Sequence, residues 1–160
     1  MNLIKRLGIS SFALCLAAVL GLVALILTNV SVTAYFANAD ITTPVLLLVL
    51  GIVGSLIGIA VNFVPAKGAA RKVVRLVADA VVILVAVAFM AAALVYIGHR
   101  AQGLGYIFVH DPQLDNIIGT PENTAVAGLT ITTTIFMVIC SVVTMVAAFL
   151  PDGKAEEVAA

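Results

Sequence analysis

LVADAVVILVAVAFMAAALVYI, residues Leu76 to Ile97, is the stretch that decides the fold, because it contains one charged side chain, Asp79, and no alternation of polar with apolar residues. A helix needs roughly 20 apolar residues to cross a hydrocarbon layer of about 30 Å, and this run is long enough. Inside that layer every backbone N–H and C=O must be satisfied within the protein, which leaves helices or a closed barrel. Barrel strands alternate; Val81-Val82-Ile83-Leu84-Val85 does not, and neither does Leu46-Leu47-Leu48-Val49-Leu50. The run is therefore predicted to be a membrane-spanning helix.

Three further runs have the same character: Ile9 to Val30, Pro44 to Val64 and Leu129 to Leu150. Together they explain a composition that is 63% hydrophobic and only 10% charged, an excess no water-soluble domain of this length could bury. The expectation is an all-α membrane protein: one domain over residues 1–150, four transmembrane helices in an antiparallel bundle, and a short cytoplasmic tail over 151–160. Thr43 is expected to cap the second span with Pro44 at its first helical position, and Pro65 and Pro151 to end the second and fourth.

The basic residues orient the chain. Lys5 and Arg6 precede the first span, Lys67, Arg71, Lys72 and Arg75 lie between the second and third, and Lys154 follows the fourth, while Arg100 stands alone on the other side. Cytoplasmic loops retain Lys and Arg, so both termini and the middle loop are expected inside. The loops near 31–43 and 98–128 are then outside. Lys5 and Arg6 with Ala37-Asn38-Ala39 have the outline of a cleavable signal peptide. The apolar run is too long for one, and the first span is expected to stay attached.

Apolar burial cannot drive helix association in lipid, whereas close contact between small residues can. Ala13, Ala17 and Gly21 share one face of the first span, and Gly51 with Ser55 and Gly54 with Gly58 form overlapping pairs in the second. These faces are expected to pack the protein's own helices; the sharper reading places the second span at a subunit interface. Asp79 falls four residues after Arg75, the spacing of a helical ion pair near the cytoplasmic boundary, to which Asn62 could add. That reading is favoured over a proton or cation site. The hydroxyls of the last span, Thr130, Thr132, Thr133, Thr134, Ser141 and Thr144, are spread around the helix and read as packing groups.

The second outer loop contains Tyr106-Ile107-Phe108-Val109 and the first contains Val30 to Phe36, both rich in aromatic and β-branched residues. Paired as a small β-hairpin they would present Tyr35, Phe36, Tyr106 and Phe108 as an outer contact surface. His99 and Arg100 are expected to anchor the third span at the headgroups. His110, Asp111, Asp115 and Glu122 read as solvated loop residues and no metal is expected. No catalytic motif or phosphate-binding loop is present, so neither enzyme activity nor a cofactor is expected. Cys15 and Cys140 both lie in spans, which separates the chain from claudins and tetraspanins with their extracellular cysteines. Zero net charge gives nothing for nucleic acid to bind.

In its basic start Leu3-Ile4-Lys5-Arg6-Leu7-Gly8, its first-loop Ala34-Tyr35-Phe36-Ala37-Asn38 and its hydroxyl-bearing last span, the chain resembles small uncharacterised four-span membrane proteins of gut bacteria, often encoded near carbohydrate-degrading enzymes. The resemblance implies a multi-pass protein of the bacterial plasma (inner) membrane and a loose link to sugar metabolism. The expected function is non-enzymatic: contact through helices and outer loops, as a homo-oligomer or as an accessory subunit of a larger membrane assembly. The alternative is a small oligomeric transporter or channel for an ion or small solute.

Overall fold

A computed structural model describes residues 3–32, 35–37, 39–61, 69–109 and 117–150. Four helices account for most of them: α1 (Leu3–Val30), α2 (Thr42–Val61), α3 (Ala69–Phe108) and α4 (Pro121–Ala147). All four are long and apolar enough to cross a membrane. In α1 the helix is broken at Gly8, whose φ of 66° and ψ of 160° suit a residue without a Cβ. The segment that can span begins at this break.

Each helix packs against two others, α1 and α3 both contacting α2 and α4. Phe89 of α3 sits fully buried in the main core with Ala17, Leu48, Ile52, Val85, Met137 and Cys140. Glycines make room for it: a Cβ on Gly51 would lie 2.7 Å from its ring, and one on Gly21 would lie 3.0 Å away. Gly54 is fitted against Val85 in the same manner, and Gly58 against Leu14. The small residues of α2 are thus notches for side chains of α1 and α3. Ala17, Gly21, Gly51, Ser55 and Gly58 are buried, and Ala13 and Gly54 are half-buried. Large apolar side chains such as Leu22, Ile26, Leu50, Leu84 and Leu94 cover the outside of the bundle, the arrangement lipid rather than water would accept.

The last-span hydroxyls are satisfied close to home. Thr132, Thr133, Thr134 and Thr144 each donate to the carbonyl four residues earlier, while Ser141 Oγ crosses to the Ala86 carbonyl of α3 at 2.8 Å.

Several boundaries differ from expectation, and α3 already begins at Ala69 rather than Leu76. The cap of α2 is Asp40 rather than Thr43: its carboxylate accepts the Thr42 N–H at 2.8 Å and the Thr43 hydroxyl at 3.3 Å. A carboxylate suits the exposed N–H groups of a first turn better than a hydroxyl. Helix α4 starts at Pro121, eight residues before the expected Leu129, with Thr120 Oγ1 accepting the Asn123 N–H and Glu122 in the first turn. Helix α3 continues to Phe108, so Tyr106-Ile107-Phe108 is helical and the expected hairpin is not formed there. Helical periodicity outweighs β-propensity because it buries Leu104 and Ile107 together against Phe36 and Ala127. In the first outer loop residues 35–37 form a turn, and no strand occurs among the described residues. Thr33, Ala34, Pro65, Pro151, His110, Asp111, Asp115 and the 151–160 tail lie outside the described residues.

Candidate functional site

The buried face of α3 runs Phe89, Ala93, Tyr96, Arg100, Leu104, Ile107, steps of three and four residues that keep one side of a helix facing inward. Arg100 therefore follows Tyr96 by one turn on the core face and is only 1% exposed. Its side chain is not presented at the surface of the helix bundle. Instead it reaches into the space where the end of α1, the first outer turn and the start of α4 meet.

Its Nη1 lies 3.1 Å from the Ser31 carbonyl, 2.9 Å from Ser31 Oγ, 3.0 Å from Tyr96 Oη and 3.0 Å from Thr130 Oγ1. Two hydrogens share four acceptors, so the bonds are partly bifurcated. Proton accounting fixes the direction of the network. Ser31 Oγ donates to the Thr28 carbonyl and Thr130 Oγ1 to the Val126 carbonyl. The Ser31–Tyr96 hydrogen bond must then be donated by the tyrosine. All three hydroxyls are left with lone pairs facing the guanidinium.

Aromatic rings close the site. The Arg100 Cζ lies 4.5 Å from the Tyr96 ring centroid and 5.0 Å from that of Phe36, within cation–π range. Phe36 is seated against Gly103, where a Cβ would come within 2.8 Å of its ring, and Tyr35 meets Phe36 edge-on at 4.9 Å. Around them Leu104, Ile107 and Ala127 form an apolar cluster with Ile97, Ile118 and Val126. Beside the site His99 Nδ1 donates to the Asp40 carbonyl at 2.9 Å, joining α3 to the start of α2. The Thr42 N–H, the Thr43 hydroxyl and His99 hold the Asp40 carboxyl below its ordinary range, the Thr42 backbone bond contributing most. Burial, helped by Tyr106, raises the phenol of Tyr35.

What the site lacks is negative charge. Among the described residues every acceptor on Arg100 is neutral, and Nη2 is buried with no hydrogen-bond partner. A buried cation among neutral groups is costly, and an orphaned charged donor adds to that cost. The spacing of Arg100 after Tyr96 was the available sequence clue; it was masked by the reading of residues 98–128 as loop.

The other expected site residues are more dispersed. Tyr106 and Phe108 are exposed on the outer part of α3, whereas Phe36 is buried and Tyr35 half-buried. At the opposite end of the bundle Arg75 and Asp79 line one small recess with Ser10, Leu14, Gly58 and Val82. Both are exposed, with no ion pair between them among the described residues; Asn62 lies outside those residues. No cluster of metal-ligating side chains occurs among the described residues. Comparison with protein-family models, curated proteins and solved structures finds no match.

Proposed function

We propose that this chain is a multi-pass protein of a bacterial plasma membrane, its four helices antiparallel and both termini cytoplasmic, that acts without catalysis by offering its outer end to another membrane protein or to a second copy. The observation that carries this reading is the overhang of α3. Its 40 residues make a rod of about 60 Å, twice the hydrocarbon thickness. With Arg75 at the cytoplasmic boundary, the segment beyond Arg100 stands at and above the headgroups.

That segment has a supported back and an unfilled front. The Arg100 network and the Phe36–Gly103 contact fix it to the rest of the bundle, while Tyr106, Phe108 and Val109 leave 48–64% of their surface free. Large apolar side chains gathered outside the hydrocarbon are a feature of interaction surfaces. The packed core supports contact over transport, since Phe89, Leu48 and Met137 are wholly buried and fill the space between the helices.

Two measurements test the proposal. The mass of the detergent-solubilised particle is expected to exceed one chain, or to include a partner, and to fall to one chain in Tyr106→Asp/Phe108→Asp; a strictly monomeric wild type without a partner overturns it. Ala70→Cys is expected to react only with reagents applied from the cytoplasm. Flux of ions or sugars into liposomes containing the protein would favour the transporter instead.

A further inference from the structure

Immediately beside the Arg100 site, α3 and α4 leave an open groove of about 230 Å³ lined by Ile97, Ile131, Thr134, Ile135, Val138 and Ile139. The lining presents no polar surface, because the Thr134 hydroxyl is already committed to the Thr130 carbonyl at 3.0 Å. We propose that this groove and Arg100 together bind one anionic phospholipid, an acyl chain lying in the groove and the lipid phosphate meeting the guanidinium.

The register fits such a molecule. Ile97 precedes Arg100 by one turn of α3, and Ile131 directly follows Thr130, whose hydroxyl accepts from Arg100. The top of the groove is therefore level with the cation. From Ile131 to Ile139 the groove descends about 12 Å, most of the roughly 15 Å that one leaflet's chains occupy. Arg100 lies 25 residues beyond Arg75, about 37 Å along α3, which places the guanidinium at the boundary where phosphates reside.

Charge complementarity names the headgroup. Among the described residues the guanidinium has neutral partners only, all on Nη1, and its free Nη2 is the donor a phosphate oxygen would take. A zwitterionic headgroup brings its own cation along with the phosphate, so only an anionic lipid adds net charge opposite to the guanidinium. Nη2 is buried, and one of the side chains close to the guanidinium is Phe36, its ring 5.0 Å from Cζ and carried on the short turn of residues 35–37 rather than on a helix. Opening the site therefore means lifting Phe36 away from Gly103, Leu104, Ile107 and Ala127.

The test uses the full chain in detergent, with thermal unfolding read after adding phosphatidylglycerol, phosphatidylcholine of the same chains, or inorganic phosphate. Phosphatidylglycerol is expected to raise the wild-type midpoint at least twice as much as phosphatidylcholine, and phosphate alone to leave it unchanged. Arg100→Gln removes the charge, Ile135→Trp fills the groove from its lipid-exposed side, and both are expected to abolish the preference. Leu50→Trp, exposed on α2, is expected to retain it. Equal wild-type shifts for the two lipids overturn the proposal. So does a preference that survives either Arg100→Gln or Ile135→Trp, or a phosphate-only shift, which would indicate a small-anion pocket. If Arg100→Gln does not fold, Ile135→Trp decides.

Discussion

The middle of the bundle and its outer end hold the same helices together by different physics. Around Phe89 the contacts are steric: a large ring occupies notches left by Gly21 and Gly51, and Val85 occupies the one at Gly54. Around Arg100 they are polar and charged, with Ser31, Tyr96 and Thr130 converging on one nitrogen. The steric region sits where lipid offers no hydrophobic drive, so only close packing can hold it. With the chain threaded as proposed, the polar region falls near the headgroup boundary, where a charge is less expensive than at the bilayer centre. Each mechanism is placed where the surrounding medium lets it work.

Substitutions can break that contrast. The largest effect is expected for Gly51→Leu, because the Cβ alone would sit 2.7 Å from Phe89 and the ring has no free volume to enter. Loss of roughly 3 kcal/mol or of the folded monomer is expected, read as a lowered thermal midpoint and aggregation in size-exclusion chromatography. Gly98→Ala, where an added Cβ meets nothing within 4 Å, is the matched control. It is expected to be neutral or to stabilise by up to about 1 kcal/mol through helix propensity.

At the outer end the cation and its acceptors are expected to behave unequally. Tyr96→Phe keeps the ring over Arg100 but removes an acceptor from a buried charge, at an expected cost of about 1–3 kcal/mol. Arg100→Met removes the charge itself. Ser31 and Thr130 keep their bonds to the Thr28 and Val126 carbonyls and Tyr96 keeps its bond to Ser31, so the loss should stay below about 1 kcal/mol. Thermal midpoints of the two variants in one detergent give the comparison. A larger loss in Arg100→Met would mean that the guanidinium organises the network.

The smallest effect concerns the exposed cap of α2. The Asp40 carboxyl is held below its ordinary value in the folded protein, so its contribution is present above the unfolded value and fades as pH falls through the folded one. A weak acid-side loss of helicity is expected below about pH 4. Asp40→Asn, which can still cap, should remove that pH dependence while leaving helicity near neutrality almost unchanged.

The hydrocarbon-crossing parts of the fold were legible because lipid imposes one simple requirement, an unbroken apolar run, and Val81 to Val85 could be read no other way. Beyond the hydrocarbon that requirement lapses. Residues 98–108 contain Gly98, Gly103 and Gly105 and suggested loop, yet Leu104 and Ile107 continue the buried stripe of Tyr96 and Arg100. The sequence Thr120-Pro121-Glu122 had the form of a helix start, but the more conspicuous apolar run beginning at Leu129 concealed it. The Arg100 site was obscured for a related reason. A lone outer cation bears on topology by its count alone, whereas its burial depends on its helical phase after Tyr96.

The length of α3 has a mechanical consequence. A rod of about 60 Å whose buried stripe runs out to Ile107 moves with the bundle it is packed in, and a rotation of 5° about its inner end would carry the tip about 5 Å sideways. Changes in bilayer thickness that tilt the helix only slightly would thus be magnified at Tyr106 and Phe108, coupling the outer surface to the state of the surrounding membrane.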